Sequence, residues 1–175
     1  MTRPPYRIRR EVEPRYVAEY VSKTYPTRRH AFRVPLGTVP KSAVEEMGLE
    51  KALRFYRPMR SEADAVVWLP NEILLIEGKV WKPFDGPKSL LLYRTLVPKT
   101  PDIGYKEGMT VTSMLLCPVI HAALKESCTI NDIQPVEYMP DWIRPIWEEH
   151  DRYTTREYVE KRALRKKRME AAGIE

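Results

Sequence analysis

The sequence is poor in the residues that hold small secreted or zinc-bound folds together. Two cysteines, Cys117 and Cys128, are too few for a disulfide framework, and both are typical of small buried hydrophobes. Three scattered histidines and the absence of a Cys-x-x-Cys pair exclude the usual ligand spacing of a structural zinc site. No apolar run approaches the ~20 residues of a membrane span. Nor does an apolar stretch of the kind found in signal peptides follow Met1. We therefore expect a reducing compartment without membrane contact: the cytoplasm, or a virion.

Positive charge is in excess and gathers towards both ends of the chain. The 175 residues carry 30 Lys and Arg against 24 Asp and Glu, a net charge of +6. Arginines are frequent between Arg3 and Arg33, and a second basic group is Arg165-Lys166-Lys167-Arg168. Basic clusters of this kind favour an anionic partner such as nucleic acid, although they also occur as solvated faces.

The hydrophobic pattern predicts one α/β domain with a mixed central sheet flanked by helices and with basic extensions. Residues 1–14 read as an extended basic arm, 15–150 as the core domain and 151–175 as a basic C-terminal helix. The periodicity predicts helices at 14–25, 41–53, 87–96 and 121–128 and strands at 54–59, 65–69, 73–80, 111–119 and 133–138. Residues 30–35 read as a short extended segment.

Three charged residues are brought together by a predicted hairpin that turns at Pro70-Asn71. Asp64 stands at the head of the first strand, and Glu77 and Lys79 lie near the end of the second. Residues two apart on a strand share a face, and Asp64 can join that face across the ladder. Two carboxylates can hold Mg²⁺ or Mn²⁺, which activates water for phosphodiester hydrolysis, while a lysine offsets charge on the phosphate. The alternative is that Glu77 and Lys79 form an ordinary ion pair at a strand end.

This pattern resembles the PD-(D/E)XK nuclease superfamily, which has the restriction-endonuclease-like fold. The motif reads Asp64, then Glu77-Gly78-Lys79 after the apolar run Ile73-Leu74-Leu75-Ile76. The resemblance implies the order helix, three strands, helix, strand, with metal at Asp64 and Glu77 and a catalytic Lys79. The family's leading proline is replaced by Ala63.

Two further catalytic candidates follow only from the resemblance. Many members place an acidic residue on the first helix, which implies Glu19. Some members carry Gln-x-x-x-Tyr on the helix after the lysine, which implies Tyr93, with Ser89 in place of the glutamine.

Two functions remain open on the sequence. The first is a metal-dependent nuclease that hydrolyses phosphodiester bonds in DNA. The second is a non-catalytic structural component of a nucleoprotein or virion assembly, built on the same fold. In both cases we expect the arm at 1–14 and the C-terminal helix to contact nucleic acid or other protein subunits, with Ile8 or Val12 buried against a protein partner.

Overall fold

The computed structural model describes residues 6–152, 160, 163–165 and 168–169. Residues up to Tyr138 form one compact unit, and residues from Met139 form a second. Most of the C-terminal helix predicted at 151–175 lies outside the described residues, as do the first five residues of the predicted arm.

Helices and strands are interspersed along the part of the chain that the structure describes. The helices are α1 (Tyr6–Thr24), α2 (Lys41–Met47), α3 (Leu49–Phe55), α4 (Asp85–Leu96), α5 (Ala122–Ile130) and α6 (Arg144–Arg152), with short 3₁₀ helices at Arg57–Met59 and Val97–Lys99. The strands are β1 (His30–Leu36), β2 (Ser61–Leu69), β3 (Glu72–Gly78), β4 (Thr110–Cys117) and β5 (Gln134–Glu137). No helix among the described residues is both long enough and apolar enough to cross a membrane.

The strands of the first unit form a single mixed sheet in the order β1-β2-β3-β4-β5. The β1–β2 and β2–β3 pairs are antiparallel, whereas β3–β4 and β4–β5 are parallel. Parallel neighbours need a crossover connection, and α4 and α5 supply the two that this sheet requires. The predicted α/β class, with a mixed sheet flanked by helices, is confirmed.

The centre of the sheet is covered on both faces. Leu90 and Tyr93 of α4 pack into one apolar cluster with Leu75 and Leu115 of β3 and β4. Helix α1 contacts β2 and β3 through buried residues that include Tyr16, Val17 and Val21. A Cβ built on Gly78 would lie 2.3 Å from Cγ2 of Val17. Since side chains alternate along a strand, α1 covers the face opposite to Glu77 and Lys79.

The strand predicted at 54–59 is wrong. The first strand of the sheet is instead β1, at His30–Leu36. Residues 54–59 hold the end of α3 and the 3₁₀ helix Arg57–Met59. Their apolar side chains do not face the core, because Phe55 is 63% exposed and Met59 is 76% exposed. The helix predicted at 41–53 is two helices, separated at Gly48, whose positive φ of 81° interrupts the helical backbone.

Helix α1 begins at Tyr6, so residues 6–14 are helical and not an extended arm. Pro14, taken as the helix start, lies inside it. Val12 is buried, as is Tyr16 one turn later, so the apolar face of α1 continues on the N-terminal side of the proline. Val12 therefore packs within its own chain and is not left free for a partner.

The second unit is described from Met139 onwards by a turn that leads into α6. The backbone N–H groups of Ile143 and Arg144 both donate to the carbonyl of Pro140. This turn leads directly into α6.

Candidate active site at the ends of strands β2 and β3

Asp64 and Glu77 face each other across the antiparallel β2–β3 pair. Ala65 is the register partner of Ile76, so Asp64 and Glu77 occupy the next pair of opposed positions. Directly opposed residues of an antiparallel pair project from the same face of the sheet. Lys79 follows β3, and its backbone N–H donates to the carbonyl of Leu116 on β4 at 2.8 Å. The ends of three strands thus fix the backbone around these side chains.

The side chains of Asp64, Glu77 and Lys79 come together in a nearly buried cluster. The Lys79 ammonium lies 2.7 Å from Oε1 of Glu77, and the two side chains are 19% and 3% exposed. Oδ2 of Asp64 accepts a hydrogen bond from the backbone N–H of Gly78 at 2.9 Å. The structure therefore brings together the three residues of the predicted hairpin motif.

Asp64 opposes the ionisation of Glu77, whereas the hydrogen bond between the two carboxyl groups lowers the pKa of Asp64. Burial, followed by the nearby Asp64, raises the pKa of Glu77 to about 7, although Lys79 acts in the other direction. Burial also raises the pKa of Asp64, against the Gly78 hydrogen bond and the Lys79 charge. Burial alone would lower the pKa of Lys79, but Glu77 and Asp64 outweigh it and raise that pKa. Near neutral pH the pair therefore favours a shared proton or a further cation beside a permanently charged lysine.

One carboxylate oxygen of this cluster has no hydrogen-bond donor. Oε2 of Glu77 is buried without a partner among the described residues. A buried oxygen in this state is costly, and either a proton shared with Asp64 or a hard cation would satisfy it. No group of three or more acidic, histidine or cysteine side chains surrounds a common metal position in the described part of the chain. An ion here would therefore use the two carboxylates and complete its shell with water, which is usual for Mg²⁺.

Glu13 on α1 also belongs to this region, and the sequence analysis missed it. Its Oε1 accepts hydrogen bonds from the backbone N–H groups of Val80 at 3.0 Å and Trp81 at 3.4 Å. Burial raises the pKa of Glu13, Lys79 lowers it and Asp64 raises it, so the three groups are electrostatically linked. The helix was predicted to start after Glu13. The apolar residues that precede and follow it in α1 are the signal that could have included it.

Glu19, the residue implied by the resemblance, takes part in another set of contacts. Its Oε1 lies 2.5 Å from the Lys23 ammonium and accepts a hydrogen bond from the Tyr138 hydroxyl at 2.8 Å. Six residues separate it from Glu13, which corresponds to about 9 Å along a helix axis. The structure thus places Glu13, and not Glu19, at the end of β3.

Tyr93 of α4 supports the backbone that leads into Asp64. Its hydroxyl donates to the backbone carbonyl of Glu62, two residues before Asp64, at 2.8 Å. Burial, together with the charges of Glu77 and Asp64, raises the pKa of Tyr93 to about 12. The ring is buried on α4, so Tyr93 holds β2 in place while it remains near the carboxyl pair.

The chain has no match among the protein families or the curated proteins with which it was compared. Its function must therefore be inferred from the geometry of these side chains.

Proposed function

We propose that this chain is a divalent-metal-dependent nuclease that hydrolyses phosphodiester bonds in DNA, with a PD-(D/E)XK core. The observation that carries the proposal is the buried, unpartnered Oε2 of Glu77, next to Asp64 and to a lysine 2.7 Å from its other oxygen. The order α1, β1, β2, β3, α4, β4 supports it, because the resemblance implies this order, with α2 and α3 as an insertion.

In this proposal Asp64 and Glu77 hold Mg²⁺ or Mn²⁺, which supplies an activated water and polarises the phosphate when it is bound. The Gly78 N–H orients Asp64 by donating to its Oδ2. Lys79 keeps its positive charge and stabilises the negative charge that grows on the phosphate. In this scheme Lys79 acts through its positive charge.

Glu13 takes the place that the resemblance assigned to Glu19 as the acidic residue from the first helix. By binding the Val80 and Trp81 N–H groups it fixes the backbone that follows Lys79. It is a positioning residue in this scheme. Tyr93 has a similar role for the backbone that leads into Asp64.

The second candidate is a non-catalytic component of a nucleoprotein or virion assembly. It is favoured by two contacts that the charged groups already make within the chain, the Lys79–Glu77 ion pair and the hydrogen bond from the Gly78 N–H to Asp64. In that case the cluster stabilises the end of β3 and has no ligand.

Cleavage of plasmid and linear DNA with Mg²⁺ or Mn²⁺, and with EDTA as the negative control, separates the two candidates. We expect Asp64→Asn and Lys79→Ala to abolish cleavage. Lys125→Ala, which removes an exposed lysine of α5, serves as the matched control and should leave cleavage intact. If neither metal supports cleavage by the wild type, and Glu77→Gln lowers the melting temperature, the cluster is a structural ion pair and the nuclease proposal is wrong.

A further inference from the structure

An arginine-rich cavity opens along the edge strand β1. Its volume is about 600 Å³, and residues of β1, of α3 and of the segment before β4 line it. Two acidic residues, Glu50 and Asp102, contribute to the lining, so the five arginines leave an excess of three positive charges. The arginines that line this arginine cavity are Arg29, Arg33, Arg54, Arg57 and Arg60.

Arg60 is built into this cavity as a fixed donor. Its side chain is 3% exposed, and Nη2 donates to Oδ1 of Asp102 at 2.9 Å and to the carbonyl of Pro35 at 3.0 Å. Its Nε is buried and has no acceptor among the described residues. A buried N–H without an acceptor is uncommon in folded proteins, and the fixed guanidinium places a buried positive charge at the cavity wall.

Arg54 and Arg57 are exposed and three residues apart, on α3 and on the 3₁₀ helix that follows it. Arg57 makes a long hydrogen bond, 3.4 Å, to the carbonyl of Arg33, and both side chains remain accessible from solvent. Two exposed guanidinium groups at one cavity wall match successive phosphates of a nucleic-acid backbone better than a single small anion.

Aromatic rings lie among these cations. The Arg29 guanidinium stacks over the Trp68 ring, 4.4 Å from its centroid, and the indole N–H donates to the carbonyl of Ile103. The ring of Phe32 lines the cavity and is 38% exposed. Exposed aromatic faces between basic side chains are the typical composition of single-strand binding sites, where bases stack and phosphates are neutralised.

We infer that the arginine cavity binds single-stranded DNA, with phosphates at Arg54 and Arg57 and a base against Phe32. The volume is that of a site for a small ligand, which suits a single nucleotide of one strand. The choice of DNA rests on the proposed function. The binding surface itself is not part of the Asp64–Glu77 cluster.

Arg33 connects the cavity to the carboxylates. It lies between the pairs Phe32↔Ala65 and Val34↔Ala63, and therefore opposite Asp64. Its φ of 54° is in the left-handed region, which is uncommon for arginine and interrupts the ladder at this point. Its Nε donates to Oε1 of Glu62 at 2.8 Å. A DNA strand bound in the arginine cavity would therefore pass Arg33 before it reaches Asp64.

Fluorescence anisotropy with a labelled oligothymidylate in EDTA measures this binding without cleavage. We expect Arg54→Ala/Arg57→Ala to weaken binding on the order of tenfold and to reduce the slope of log K against log salt by about 1.4, since each phosphate contact to a single strand contributes about 0.7. Phe32→Leu should weaken binding without a change in that slope, because stacking releases no counterions. Lys106→Ala/Lys125→Ala removes the same charge from exposed lysines outside the cavity lining and should change affinity by less than about twofold.

Equal losses from the arginine and lysine pairs would show that net charge alone attracts DNA, and would overturn the inference. Tighter binding of a duplex or of oligouridylate than of oligothymidylate would overturn it as well. If the arginine pair controls binding but no metal supports cleavage, the proposed nuclease fails and the binding site stands. If the wild type cleaves DNA but the arginine variant binds as tightly as the wild type, the nuclease proposal stands and the binding-site inference fails. Thermal melting of the arginine variant confirms that it is folded.

Discussion

Replacing Glu77 by glutamine should stabilise the metal-free protein at neutral and alkaline pH. The native Glu77 side chain is 3% exposed, next to Asp64, and its pKa is raised from the usual 4.5 to about 7. Each pKa unit corresponds to about 1.4 kcal/mol, so the difference between the folded and unfolded chain amounts to roughly 3 kcal/mol. The substitution removes the repulsion by Asp64. Lys79 loses its ion-pair partner but keeps the nearby charges of Asp64 and Glu13.

The sign follows from which state holds the proton. Below pH 4.5 Glu77 is protonated in both states, and its contribution to stability is fully present. Between pH 4.5 and about 7 the unfolded chain releases the proton while the folded chain keeps it, so the stability of the wild type falls as the pH rises. Above about pH 7 the folded protein carries the ionised, partly unsatisfied carboxylate. The Glu77→Gln variant has no such proton and lacks this decline.

Urea unfolding followed by tryptophan fluorescence measures the difference. We expect the free energy of unfolding of Glu77→Gln, relative to the wild type, to increase by roughly 3 kcal/mol between pH 4.5 and about pH 8. Glu126→Gln, at an exposed position of α5, is the control and should change the free energy by less than about 0.5 kcal/mol at either pH.

Added Mg²⁺ should reverse the order of stability. Metal that binds only the folded wild type stabilises it by mass action, while the Glu77→Gln variant lacks one of the two carboxylates. A variant that is less stable than the wild type at about pH 8 without metal, by more than about 1 kcal/mol, would refute the reasoning. It would show that the Lys79–Glu77 pair stabilises the fold more than the buried repulsion destabilises it.

Three further predictions concern the packing and charge around this site. Gly78→Ala places a Cβ 2.3 Å from Cγ2 of Val17, so we expect the free energy of unfolding in urea to fall by roughly 1–3 kcal/mol. Val17→Ala should partly restore it in the double variant, and additive losses would contradict this contact. Tyr16→Phe removes the 2.7 Å hydrogen bond from the buried Tyr16 hydroxyl to the Tyr138 carbonyl and should cost about 1–2 kcal/mol, whereas an unchanged melting temperature would mean that water replaces it. Lys79→Met removes a charge that lowers the pKa of Glu77, so carboxyl NMR titration should show that pKa above its wild-type value; a lower value would contradict the ion pair.

The central hairpin could be predicted because its apolar residues leave few alternatives. Residues 73–76 are apolar at every position, which is typical of a strand covered on both faces, and the turn residues before them fix the hairpin. The register then places Asp64 opposite Glu77 without further information. The same local pattern underlies the predicted α/β class, the predicted mixed sheet and the predicted cluster of Asp64, Glu77 and Lys79.

The errors arise where local pattern and burial disagree. Residues 54–59 were predicted as a strand because they include apolar and aromatic residues. The structure has the end of α3 and a 3₁₀ helix there, and it leaves Phe55 and Met59 exposed. Pro14 suggested a helix start because proline is favoured in a first turn, yet α1 carries it in its interior. Because the predicted helix began at residue 14, Glu13 was left outside it and was not considered as a site residue. The arginine cavity was missed for another reason: tertiary structure brings Arg33 of β1, and Arg29 just before it, together with arginines more than twenty residues later in the chain.

The contacts of α1 at the end of β3 make the amino-terminal helix part of the site. Val17 rests where Gly78 has no side chain, and Glu13 holds the N–H groups just beyond Lys79. A chain shortened to begin after Glu13 would keep the residues of every strand and of the hairpin motif, yet it would lose the clamp that holds the lysine's backbone. Loss of this part of α1 would therefore act on the charged cluster directly, even though none of the three motif residues lies in the helix.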